Sequence, residues 1–176
     1  MTLRSDLTAL LANAGLVDVD IDEAFADEHV RSAAYRRVVA VAAAGESRDA
    51  DRELVAALVR DPDQLAAKSA VVELVDRIAA KAASPDAFRQ WADGILPVAD
   101  RLPAEGNRAF VRRRVGDWLL YLSVKAGAVP TEAELAAVTP WMQRLLAEES
   151  TSRPVLALLA ESGHTRKIRN IAKNRA

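Results

Sequence analysis

The chain has 176 residues, of which 51% are apolar and 28% charged, with a formal net charge of -1 and no cysteine. This length and apolar content suit one domain, residues 1–176, that buries about two-thirds of its unfolded surface, and they exclude a disordered chain. The lack of cysteine excludes disulfides, thiolate catalysis and cysteine-held metals, and it fits a reducing compartment, so the cytoplasm is the expected location.

Taken in chain order, glycine and proline divide the sequence into helical blocks. The first runs from about Thr2 to Ala14 and stops at Gly15, which tolerates the left-handed conformation of a helix end. The acidic stretch DVDIDEAFADEH then places carboxylates ahead of VRSAAYRRVVAVAAAG, where they suit a helix N-terminus, and Gly45 ends that block. RDADRELVAALVRD is the third block. Pro62 between two aspartates turns the chain into DPDQLAAKSAVVELVDRIAAKAA. Ser84 and Pro85 read as an N-cap followed by proline at the first helical position. The helix they open is expected to break or kink between Gly94 and Pro97.

AEGNRAFVRRRVGDWLLYLSVKAG follows, ending at Gly127. Thr131 and Glu134 have capping-box spacing, and Pro140 either kinks that helix or begins another. SRPVLALLAESG and the terminal segment close the chain. There, Gly163 stops one helix and Thr165 caps a last short one, with Ile168, Ile171 and Ala172 on one face and Arg166, Arg169 and Lys173 on the other. No strand pattern is found, so the fold class is all-α with about eight to nine helices. No apolar run is long enough to span a membrane, and no signal peptide opens the chain, so no membrane partner is expected.

Short connections force sequence-adjacent helices to pack as antiparallel hairpins, either stacked in an α-solenoid or closed into a bundle. The block around Trp118 is apolar on more than one side, as an inner helix of a stack would be. The stretch LVRDPDQLAAKSAVVELVDRIA, Leu58 to Ala79, resembles the HEAT/armadillo helical repeats, with Asp61, Pro62 and Asp63 at the turn between two helices. Looser echoes carry an aliphatic-Arg pair early in a helix: Val30-Arg31, Val111-Arg112 and Ile168-Arg169. Matched points at Val30, Ala66, Val111 and Ile168 lie 36, 45 and 57 residues apart, against a family period of roughly 40–47. The resemblance implies stacked hairpins, a turn aspartate that caps a helix, an arginine that reaches a neighbouring repeat, and a role in binding other proteins. Ala67 stands where the second unit would carry that arginine.

Catalytic chemistry is not found. Asp18, Asp20 and Asp22 open like a calcium loop, but Glu23 and His29 stand where glycine and the bidentate glutamate are required. His29 and His164 lack a metal-ligand spacing, and no glycine-rich phosphate loop is present. Ser69, Ser84 and Ser123 have no neighbouring base, while Trp91, Trp118 and Trp141 read as core. No metal or cofactor is expected, and no enzyme.

Charge is distributed unevenly. Residues 1–100 carry 18 acidic and 11 basic side chains, a balance of -7, and residues 101–176 carry 7 and 13, a balance of +6. The expected function is a protein-interaction scaffold, its acidic half suited to a basic partner or to a second copy of the chain. The alternative is nucleic-acid binding through the basic half, with Arg112, Arg113, Arg114, Arg166, Lys167, Arg169 and Lys173 as candidates. Against it, the pI is 6.2 and the arginine triplet winds around its helix.

Overall fold

Side chains that satisfy free backbone donors set most of the helix starts. In the computed structural model, which describes residues 2–176, Thr2 and Ser5 form a capping box at the head of α1, Leu3–Asn13. Gly15 leaves the helix at φ +66°, in the left-handed region where glycine is favoured. Asp20 then caps α2, Ile21–Ala26, and Asp27 caps α3, Glu28–Ala44, each through two backbone N–H groups. The acidic stretch therefore starts two helices, where one was expected. After α4, Asp51–Leu58, the Asp61-Pro62-Asp63 turn leads into α5, Gln64–Lys81. Asp63 accepts from the backbone N–H groups of Leu65 and Ala66 to cap α5.

Ser84 Oγ accepts from Ala87 N at the start of α6, Pro85–Ala99. The break expected near Pro97 does not occur, and α6 runs through it. Helix α7 spans Glu105–Lys125, beyond which Gly127 turns at φ +100°. The Thr131–Glu134 capping box opens α8, Glu132–Ala137. Pro140 begins a new helix, α9, Pro140–Glu149, with Thr139 as its N-cap. Helices α10, Arg153–Ser162, and α11, Arg166–Lys173, follow.

The fold is all-α, with eleven helices and no strand among the described residues. The expected eight to nine fall short because α2 was hidden in the acidic stretch and Pro140 restarts the chain instead of kinking it. No helix among the described residues is long and apolar enough to cross a membrane.

The chain packs as two compact units, Met1–Lys81 with Gln90–Arg112, and Ala82–Arg89 with Arg113–Ala176. In the first, α3 packs along α5, and α1, α2 and α4 pack around that pair. Its core holds Leu7, Tyr35, Val39, Leu58, Leu74 and Val75, each at most 2% exposed. In the second, α11 lies against α9 and α10, and α8 against α10. Leu135, Met142, Leu146 and Leu159 are among its fully buried side chains.

Candidate functional site

Within the first unit, polar side chains are buried where helix ends converge. Asp61 is 1% exposed. Its Oδ2 accepts from Arg31 Nε at 2.8 Å and from the Tyr35 hydroxyl at 2.6 Å, and its Oδ1 accepts from Asp63 N at 2.7 Å. Arg31 also donates to the carbonyls of Ala24 and Phe25 in the last turn of α2, placing a cation at the negative end of that helix. Burial, and then the hydrogen bond to Asp61, push the Tyr35 hydroxyl well above its ordinary pKa. The turn aspartate thus ties α2, α3 and the start of α5 together.

A second ion pair closes one end of a groove. Asp6 on α1 receives Arg60 Nε at 2.9 Å and Nη2 at 2.7 Å in a bidentate fork. Beyond this pair, a groove of about 390 Å³ runs between α1 and α4 over part of α3. Six alanines line it, Ala9, Ala14, Ala42, Ala50, Ala56 and Ala57, together with Leu10, Val38, Val41 and Leu54. Val38 is buried at 4%, while Val41 is 44% exposed. The far end carries Asp51 and Glu53, from the first turn of α4. Asp51 is 2% exposed and accepts from Trp91 Nε1 at 2.9 Å and Arg48 Nη1 at 3.2 Å. Burial raises its pKa against the opposing pull of those two donors. The walls offer apolar contact and little acid–base chemistry, so the groove is suited to binding.

The basic residues singled out in the sequence are divided between the two units. Arg112 belongs to the first unit, where it pairs with Asp100 at 2.7 Å. Arg113, Arg166, Lys167, Arg169 and Lys173 belong to the second. Arg113 is exposed beside Asp117 and Glu134. Arg114 sits over Trp141, its guanidinium carbon 3.9 Å from the ring centroid. On α11, Arg166, Lys167 and Lys173 are exposed, whereas Arg169 donates to Gly163 O at 2.6 Å and so belongs partly to the packing.

Trp118 is buried as expected, with edge-to-face contacts to Tyr121 and Trp141. Trp141 is 43% exposed, so it is a half-covered ring and not core. Trp91 is half-buried and its ring nitrogen is bound to Asp51. Gly163 ends α10, as read from the sequence. It sits at φ -55°, and a Cβ there would lie 2.6 Å from the Leu159 carbonyl oxygen and 2.9 Å from Ile168 Cγ2. Glycine is required because the last turn of α10 and the start of α11 both come so close. No group of three or more His, Asp or Glu side chains that could hold a metal occurs among the described residues.

Sequence reasoning missed the groove. Its signal was alanines spread over α1, α3, α4 and their flanks, which reads equally well as helix-forming composition. Comparison with family models, with curated proteins and with solved structures gives no match to this chain.

Proposed function

We propose that this chain is a non-catalytic protein-interaction module, built from HEAT-like helical hairpins, that receives its partner in the groove between α1 and α4. The groove carries the reading: an apolar channel with small side chains on its walls and Val41 left 44% exposed at its lip. The Arg31–Asp61 bond supports the repeat-like part, because it links an arginine early in one long helix to the turn aspartate before the next. The resemblance leads one to expect an arginine that reaches a neighbouring repeat, though not this particular pairing.

Filling the groove tests the proposal. Ala9 is exposed and Ala57 half-exposed, so tryptophan at either position occupies the channel without entering the core. A photocrosslinking residue at Ala9 is expected to capture one protein stoichiometrically from extract of the native source, and the same residue at exposed Glu132 is not. Capture should be lost in Ala57→Trp. Undiminished capture in that variant, or none even at low salt, overturns the reading.

A second reading rests on α11. Arg166, Lys167 and Lys173 are exposed and take part in none of the ion pairs found among the described residues. Such cations can meet the phosphates of a nucleic acid. Arg112 is paired with Asp100.

A further inference from the structure

Taking the groove as the docking site, we infer that its occupant is a short cationic amphipathic helix of the partner. The lining residues fall into stripes with helical spacing. On α1 they are Asp6, Ala9, Leu10, Asn13 and Ala14, and α4 with its flanks supplies a second stripe from Ala50 to Arg60. At 1.5 Å per residue these stripes are about 12 and 15 Å long, or two to three helical turns. The volume of 390 Å³ alone would admit a small molecule. Two facing rows of that length suit a third helix laid between them, reading anchors at i, i+3 or i+4, and i+7. Alanine on both walls lets such a helix approach closely, since interaxial distance depends on the side chains at the contact.

Charge decides which helix fits. Arg60, the single cation among the lining residues, is tied to Asp6 at one end. At the other end stand two carboxylates, Asp51 and Glu53. The N-terminus of α4 offers only about half a positive charge against them. Asp51 is already bound to Arg48 and Trp91, whereas Glu53 is exposed and enters none of the ion pairs among the described residues. The unit as a whole carries 18 acidic and 13 basic side chains, a net -5. The arriving helix therefore presents an aliphatic stripe flanked by lysine or arginine, one of which meets Glu53.

The probe is a lactam-bridged helix of about three turns, with leucines at i, i+3 and i+7 and lysines on both sides. In protein carrying methyl-labelled alanine, it is expected to shift Ala9 and Ala57 and to leave Ala133 in place. An isomer with glutamates for the lysines should bind roughly fivefold more weakly, and Glu53→Lys should reverse that order. Equal binding of the two isomers, or unmoved alanine methyls, overturns the inference, as does a shift produced by a small apolar alcohol but not by the helix. Ala9→Trp, at an exposed position, should abolish the shifts and guards against misfolding of Ala57→Trp. If Ala57→Trp still loses partner capture while the lysine probe leaves the methyls unmoved, the groove reading stands and the helix falls. If capture survives in Ala57→Trp, the groove reading itself falls.

Discussion

Asp61 shows how much one side chain can carry. Its carboxylate is wholly buried against an Arg31 side chain that is only 7% exposed, and it serves three donors, two on α3 and one in the turn before α5. Removing one member of such a pair costs more than the pair contributes, because the charge left behind is stranded away from water. Asp61→Ala is therefore expected to lose about 3–5 kcal/mol in urea unfolding. Adding Arg31→Met to Asp61→Ala should recover much of that loss, since an apolar replacement removes the stranded charge. Tyr35→Phe should cost only about 1 kcal/mol, the worth of one neutral donor. If Asp61→Ala melts like the parent, the turn aspartate is merely a local cap for Asp63 and α5. The sequence reading placed Asp61 at its turn and Arg31 early in its helix from the repeat resemblance, but it did not pair these two residues with each other. Thirty residues separate them, and no local rule links a turn to the flank of an earlier helix. Tyr35, which completes the site, looked like any other core aromatic.

At the level of elements, legibility followed local chemistry. Caps and stops such as Gly15, Ser84, Gly127 and Thr131 act within a few residues, and they stand in the structure where pattern placed them. Helix α2 was missed because six residues are too few to show a helical period, and its cap Asp20 lay among other carboxylates. Pro97 misled in the opposite direction. It removes one donor, but Pro97 and Asp93, whose carbonyl loses that donor, are both on the exposed side, where water can serve instead. The groove was illegible for a further reason, since its alanines come from segments some 40 residues apart and mean nothing singly. Helix α11 tests whether an element reading holds energetically. Ile168 is 2% and Ala172 0% exposed, and His164 N donates to the buried Gln143 Oε1 at 2.8 Å. Deleting residues 164–176 uncovers this apolar surface and strands the Gln143 acceptor, a loss of about 3 kcal/mol or more. The expected result is a lower melting temperature with dye binding to exposed apolar surface. An unchanged melting temperature would make the segment a free basic arm.

For the whole molecule, charge separates the two readings of function. The imbalance of -7 and +6 between sequence halves becomes -5 and +4 between the packed units, because Arg101, Arg108 and Arg112, together with Glu105, fold with the acidic one. Those three arginines weaken the basic surface that the sequence suggested. Arg108 donates to Leu102 O and Pro103 O, and Arg112 is bound to Asp100. In the second unit, Arg169 and Arg175 are engaged with the carbonyls of Gly163 and Ala147. The exposed cations of α11 thus reduce to Arg166, Lys167 and Lys173, with Arg113 on another helix. If each met one phosphate of duplex DNA, the log–log dependence of affinity on salt would have a slope no steeper than about -3 to -4. Contacts this few give weak, sequence-independent binding that fades near physiological salt. We expect a gel shift with duplex DNA to show at most weak retardation at about 50 mM salt and none at about 150 mM, while capture of the protein partner persists there because apolar burial in the groove is hardly screened. A slope steeper than about -6, or a discrete complex surviving at about 200 mM, would require more phosphate contacts than these side chains provide. That outcome would make the basic surface the functional one and the groove incidental.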